Sequence, residues 1–436
     1  MGGGDLQGNI AFSLNPQVTF PTSGGATSSF PNLTKSDLQQ WFVDVSNGPY
    51  PGFTEASLNS IDKFEGGWEV IGNDAFNFTN LKLNVKDNQN LTDIFEEPGS
   101  LKEIQDRSFY RLGLDGGLGF SGSFTDLSYI GANSFEENKF TRGVSIRDLP
   151  NLTKIGTSAF YKCIENGPIT LSNLPNLTQL SFTFQDNSSN SKLTLEKLPK
   201  LSIIDFYTFF NSGISGDVTI SGLEELETIE NTAFGSSNPE KAAQIKSVEF
   251  VNLPKLDTIG NLNNYNPLVP SNTLYSFGTE NLILKNLPAY TDDASLSELK
   301  FNLGVNNGND SSFTGDLTLE GLPGLTYIQD FSGFARNFTG KLTIKDCSNL
   351  TEIKEAAFKD CNFTQINFTS ISGSVVYQDV FPQLDGISSE QPNVLVWKNS
   401  SPGFTIPDNK QYLWNVPTSS NSSSGMAANS STMNFP

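Results

Sequence analysis

Two short motifs recur along this chain at a near-constant spacing, and that periodicity limits the fold more than any other feature. The first is Ile-x-x-x-[Ala/Ser]-Phe, seen at Ile71 to Phe76, Ile104 to Phe109, Ile130 to Phe135, Ile155 to Phe160, Ile229 to Phe234 and Ile353 to Phe358; Ile204 to Phe209 carries Thr208 in the small slot. The second is apolar-x-apolar-x-x-Leu-Pro-x-Leu, as in ITLSNLPNL and LTLEKLPKL. Its central Leu falls at Leu149, Leu174, Leu198, Leu223, Leu253, Leu287 and Leu322, with Cys347 in the same slot. The steps are 25, 24, 25, 30, 34, 35 and 25 residues. A base period near 25 with three longer steps reads as a solenoid with insertions, at 235–247, 260–280 and 289–313.

One unit can be built from its residues. In Leu193-Thr194-Leu195 the alternation sends both Leu side chains one way and the Thr the other, which is a strand. The Leu-Pro corner turns the chain, because Pro fixes φ and has no N–H to continue a ladder. Leu201 and Ile204 refill the interior, and the Phe of the first motif packs the far wall. The residue before that Phe is small because neighbouring coils stack closely there. No unit buries its apolar face alone, so the units must stack. The expected architecture is a repeat solenoid, one continuous array with one parallel sheet face and a short irregular or helical far wall.

The stretches IGTSAFYKC (Ile155 to Cys163) and IKEAAFKDC (Ile353 to Cys361) resemble the BspA-like leucine-rich repeats of bacterial and protist surface proteins, over about residues 66 to 370. The resemblance implies a leucine-rich-repeat β-solenoid and a role in cell-surface adhesion or binding of host proteins or glycans. Insertions and Leu-Pro-x-Leu-Thr corners depart from that family's compact unit.

Residues 1–65 read as an irregular segment plus an N-terminal helical cap. Ser36 with Gln39 makes a capping box, and Leu38, Trp41, Phe42 and Val45 form one apolar stripe, so a helix at about 36–46 would cover the first coil. A partner-binding helix is the functional alternative. The solenoid is expected over 66–385, a C-terminal cap over 386–415, and a disordered Ser/Asn-rich tail over 416–436.

Composition removes whole classes of chemistry. With no histidine, Ser-His-Asp and Cys-His catalysis and His-ligated metals are excluded. Against 27 Lys+Arg stand 47 Asp+Glu, a net charge of −20, which disfavours nucleic acid and anionic membrane surfaces as partners. No apolar run is long enough to span a bilayer, so direct membrane insertion is not expected. Cys163, Cys347 and Cys361 are too few for a disulfide scaffold; Cys163 and Cys361 share the inward slot of the repeat. A buried thiol is the default for them, and a Cys347–Cys361 bridge the alternative. Gly117 to Gly122 matches G-x-G-x-x-G without a strand–turn–helix around it. The paired acids Glu136/Glu137 and Asp292/Asp293 suit a solvated face, and Asp87 to Asp93 lacks a complete calcium pattern. Neither an enzymatic activity nor a cofactor nor a metal site is expected.

Fourteen Asn-x-Ser/Thr acceptors occur, at Asn32, Asn77, Asn90, Asn151, Asn176, Asn187, Asn309, Asn337, Asn349, Asn362, Asn367, Asn399, Asn421 and Asn429. The residues from Met1 onward show no basic and apolar leader. The chain is therefore expected to be either intracellular or the mature or partial form of a secreted, glycosylated surface protein, and the acceptors favour the latter. Thr170, Thr194, Thr219, Thr318 and Thr343 occupy the outward slot between inward apolars, while Glu249 and Ile283 break the column. Stacking should align them in two short ladders. These hydroxyls are the candidate binding residues for a protein or glycan ligand, although β-branched residues also simply suit strands. Two alternatives stand beside adhesion: a self-assembling structural glycoprotein of a cell coat, and an intracellular repeat scaffold.

Overall fold

Strands form where the outward Thr slot is flanked by two apolar residues, and the computed structural model places them there. It describes residues 70–74, 98–230, 233–235, 245–259, 277–289, 315–328 and 340–350, together with short strands elsewhere. Contacts within the chain group it into two units, Met1–Ser215 and Gly216–Pro436.

In the first unit the strands Leu118–Phe120, Val144–Arg147, Ile169–Ser172 and Leu193–Glu196 pair in parallel with no break in register. Every coil crosses the sheet in the same direction, so parallel pairing is the only kind available to it. The inward pairs Val144/Ile146, Ile169/Leu171 and Leu193/Leu195 are all buried. The last three strands are each followed at once by a residue with left-handed backbone: Asp148, Asn173 and Lys197. A β-turn follows at once. The Leu152 amide donates to the Leu149 carbonyl (3.4 Å), Leu177 to Leu174 (3.3 Å) and Leu201 to Leu198 (3.1 Å), with Pro150, Pro175 and Pro199 inside the turns. The Leu-Pro corner is thus a left-handed residue plus a turn; proline alone does not make it.

A second, shorter ladder follows the corner. Glu103–Ile104, Tyr129–Ile130 and Lys154–Ile155 pair in parallel, as do Gln179–Leu180 and Ile203–Ile204. The chain then runs through stacked turns, and each turn's amides reach the next coil. Phe109 donates to Ser134 (2.8 Å), Phe135 to Ala159 (2.9 Å), Phe160 to Thr183 (3.0 Å) and Phe184 to Thr208 (2.8 Å). Among the described residues the only helical piece is the 3-10 turn Pro98–Ser100, so the far wall here is turns rather than helix. Close approach explains the small residues on this wall. A Cβ on Gly156 would lie 2.4 Å from the Ala132 nitrogen, and Ser108, Ser134, Ala159, Thr183 and Thr208 are all fully buried before their Phe.

Among the described residues, five phenylalanine rings stack inside that wall. Phe109, Phe135, Phe160, Phe184 and Phe209 follow one another at 5.1, 5.5, 5.0 and 5.5 Å between centroids, with rings within 12° of parallel. Phe184 belongs to a coil whose motif is one residue short, Leu180 to Phe184, and so escapes the sequence pattern.

Three residues after each Phe comes a buried slot filled by Leu112, Asn138, Cys163, Asn187 and Ser212 in turn. The two asparagines there bind backbone on four sides or three. Asn187 Nδ2 donates to the Phe160 (2.9 Å) and Phe184 (2.8 Å) carbonyls, while its Oδ1 accepts from the Cys163 (2.9 Å) and Ile164 (2.8 Å) amides. Asn138 repeats this with Phe109, Phe135 and the Leu114 amide.

The second unit follows the same plan. Val218–Ser221, Ile245–Val251, Phe277–Lys285, Leu317–Glu320, Lys341–Lys345, Gln365–Thr369 and Val394–Lys398 pair in parallel, with one register shift between Ile245 and Ser247. Short ladders accompany them, Thr228–Ile229 with Thr258–Ile259, and Tyr327–Ile328 with Glu352–Ile353 and Val376–Tyr377. Phe234, Leu253, Leu287, Leu322 and Cys347 are buried as the repeat requires.

The ends differ from expectation. Within the segment expected to be irregular, Ala11–Leu14 pairs with Lys63–Gly66 and Asn32–Leu33 pairs with Val70–Ile71, both in parallel. Strand pairing also continues past 385, through Val394–Lys398 to Tyr412–Trp414, and Met426–Ala428 in the expected disordered tail pairs antiparallel with the latter. Sheet edges recruit such segments because a free edge leaves unpaired amides and carbonyls. The expected cap helix at 36–46 and most of the three insertions lie outside the described residues.

Phe160→Ala is expected to lower the unfolding free energy by about 3–5 kcal/mol, the cost of a large aromatic lost from a core. Asn187→Ala should cost about 3 kcal/mol or more, because it leaves two amides and two carbonyls without partners. Denaturant titration checks both, and a loss below about 0.5 kcal/mol at either site would place that side chain on a surface.

Candidate functional site

The outward face of the sheet is set by the same alternation that builds the core. In the first unit Gly119, Ser145, Thr170 and Thr194 lie side by side in register. In the second, Thr318 faces Thr343, while Thr219 faces Glu249 and Ile283 stands between Glu249 and Thr318. The structure therefore brings Thr170 together with Thr194, and Thr318 with Thr343. All five threonines are half-buried. Adjacent strands put such hydroxyls about 4.8 Å apart.

The flanking charges are partly spoken for. Glu320 bridges Lys345 (2.5 Å) and Lys285 (3.6 Å) across three strands. Its carboxyl is held below the usual carboxylate range by the hydrogen bond from Lys345, and the Lys345 ammonium is raised in return. Asp316 Oδ1 accepts the Lys341 amide (2.7 Å). These solvent-exposed contacts contribute little to stability; they hold the face's charged rim in place.

Other sequence candidates resolve into structural roles. Glu137 is paired with Arg111 (2.7 Å) and held low by it, whereas burial raises Glu136. Gly117 to Gly122 sits on the strand Leu118–Phe120, and a turn rather than a helix follows it, so the dinucleotide context is missing. Asp292, Asp293 and Asp87 to Asp93 lie outside the described residues. Among the described residues no three His, Cys, Asp or Glu side chains cluster as metal ligands, and no helix is long and apolar enough to cross a membrane. Cys163 and Cys347 are buried free thiols, so the Cys347–Cys361 bridge is not formed. Burial pushes the Cys163 thiol well up and the Cys347 thiol to about 11, which leaves both inert.

The glycan acceptors divide. Asn187, expected to be one, is 1% exposed with its Nδ2 committed to two backbone carbonyls, and it is removed from the set. In the recurring Asn-Leu-Thr, the Asn amide reaches back one coil: Asn151 to the Thr125 carbonyl (2.8 Å), Asn176 to Pro150 (2.6 Å) and Asn349 to Pro323 (2.7 Å). Leu152, Leu177 and Leu350 are buried, which gives the triplet a structural reason to recur. Asn151 and Asn349 are exposed and Asn176 is half-buried. For Asn32, Asn77, Asn90, Asn309, Asn337, Asn362, Asn367, Asn399, Asn421 and Asn429 the side chains lie outside the described residues. When the chain is made through a eukaryotic secretory route, peptide mass mapping is expected to find glycan on Asn151 and Asn349 and none on Asn187. Glycan on Asn187 would mean that its coil does not close as described.

Among curated protein sequences none matches the chain. The family described as the BspA type leucine rich repeat region matches residues 102–240 and 288–388, in six copies. Those segments hold the Phe wall and most of the ladder strands and Leu-Pro corners, and together they exceed half of the chain. The protein belongs to the BspA-type leucine-rich repeat family.

Proposed function

We propose that this chain is a secreted or cell-surface recognition protein that holds a macromolecular partner, protein or glycan, against the outward face of its sheet. Leucine-rich repeats are in general a non-catalytic, protein-binding fold, and BspA-like members are commonly surface-associated. The observation that carries the reading is the in-register column of half-buried hydroxyls, Ser145, Thr170 and Thr194 in one unit and Thr318 and Thr343 in the other. The column presents hydrogen-bonding groups at a fixed repeat on a rigid sheet, which suits an extended polar partner. The exposed Asn-Leu-Thr acceptors at Asn151 and Asn349 fit a protein that passes through a secretory route.

The test is the full chain with Thr194, Thr219, Thr318 and Thr343 changed to Val, which keeps shape and strand propensity and deletes the hydroxyls. Parent and variant are compared on an array of matrix proteins and glycans. The expected result is a parent that binds a defined subset and a folded variant weakened by about tenfold or more. Equal binding by both would move the site off the sheet face. A parent that binds nothing yet self-associates would favour the coat component.

A further inference from the structure

When glycine follows asparagine, the main-chain amide of the glycine is left unshielded beside the asparagine side chain and can attack it, which is one reason asparagine counts as a thermolabile residue. Asn166-Gly167 is such a pair, in the bend that leads from the buried slot at Cys163 into the strand Ile169–Ser172. Asn47-Gly48 and Asn307-Gly308 repeat the dipeptide but lie outside the described residues.

At this bend the fold requires the glycine and leaves the asparagine unused. Gly167 has φ +95°, and a Cβ on it would lie 2.4 Å from the carbonyl carbon of Arg142 and the nitrogen of Gly143, so no other residue fits. Its carbonyl accepts the Ser189 hydroxyl of the next coil (2.7 Å). Its amide makes no hydrogen bond among the described residues, and neither does the Asn166 side chain, which is exposed. Asn133, Asn187 and Asn211, each followed by serine, are held instead. Asn133 Nδ2 donates to Glu136, Asn187 Nδ2 to the Phe160 and Phe184 carbonyls, and Asn211 Nδ2 to Asp186 Oδ1 (2.8 Å).

We propose that Asn166 is a site of spontaneous covalent modification in the folded chain, where it converts to aspartate and isoaspartate. The Gly167 amide nitrogen bonds to the Asn166 Cγ. The Cγ–Nδ2 bond breaks, and ammonia leaves with the proton that the Gly167 amide gives up. Water then opens the cyclic imide at either of its carbonyls. One opening gives aspartate on an unaltered main chain; the other gives isoaspartate, whose main chain is longer by a methylene.

The two products act differently on the stack. Aspartate adds a charge beside Glu165 on an exposed bend and keeps the circuit. Isoaspartate lengthens the coil between two fixed points, the Glu165 amide bonded to the Phe140 carbonyl (3.0 Å) and the Gly167 carbonyl bonded to Ser189. Gly167 has no room to shift against Arg142 and Gly143. Because each circuit must return to register, the isoaspartate form releases the Ser189 bond and loosens this coil against its neighbours.

The experiment is residue-resolved peptide mapping of the full chain after incubation in native buffer, at mildly acid and at mildly alkaline pH. Digestion in heavy-oxygen water marks any conversion that happens during preparation. Loss of Asn166 with gain of both products is expected, faster at the alkaline pH because the attacking amide must lose its proton. Asn133, Asn187 and Asn211 should stay unconverted over the same period, and Asn166→Gln should leave position 166 intact. The isoaspartate form, separated by chromatography, should melt below the parent, whereas Asn166→Asp melts with it. The inference is overturned if Asn166 survives in native buffer, if it converts only once urea has unfolded the chain, or if the held asparagines convert as fast. An isoaspartate form that melts with the parent would overturn the loosening of the coil.

Discussion

Everything in this fold depends on one coil supplying the hydrogen-bond partners of the next. A helix satisfies its own backbone, but a coil made of a four-residue strand, two corners and a few turns cannot. The amides of Phe109, Phe135, Phe160 and Phe184 all donate one coil onward, as those of Arg111, Glu137 and Lys162 do two residues later. Each such bond left unmade in the interior would cost about 1–3 kcal/mol. The repeat must therefore return to register after every circuit, and extra residues are tolerated only where they leave between ladder positions.

That constraint also accounts for features with no obvious chemistry of their own. Left-handed backbone recurs at Asp148, Asn173, Lys197, Asn252, Asn286 and Asp346, always just before the buried corner residue, because the chain must reverse there within one residue. The buried asparagines act where the turns alone cannot close the ladder. Asn138 and Asn187 each join the Phe carbonyl of their own coil to that of the coil before, in the slot where Cys163 merely fills space. The Phe stack then fills the interior on the same spacing, so aromatic packing and backbone pairing reinforce one period.

How much of this could be read beforehand follows from what leaves a periodic trace. The strand residues, the Leu corners and Phe109, Phe135, Phe160, Phe209 and Phe234 recur at fixed offsets and were legible. Phe184 was not, because its coil is one residue short and starts from Leu180 in place of Ile. Asn187 was misread as a surface acceptor, since Asn-Ser-Ser matches a sequon; its place three residues after Phe184, in the slot of Cys163, is the signal that points inward. On the face, the threonine column was visible as alternation.

The outward face and the interior are thus two readings of one alternation, and the proposed recognition role needs the interior to hold that face rigid. Coil-to-coil pairing is the claim on which the account stands, and native-state hydrogen exchange tests it most directly. The amides of Phe109, Phe135, Phe160 and Phe184, each bonded to the neighbouring coil, are expected to exchange slowly and with closely similar opening free energies, as one cooperative block. Fast exchange at these four amides, or opening energies that scatter coil by coil down to near zero, would contradict it.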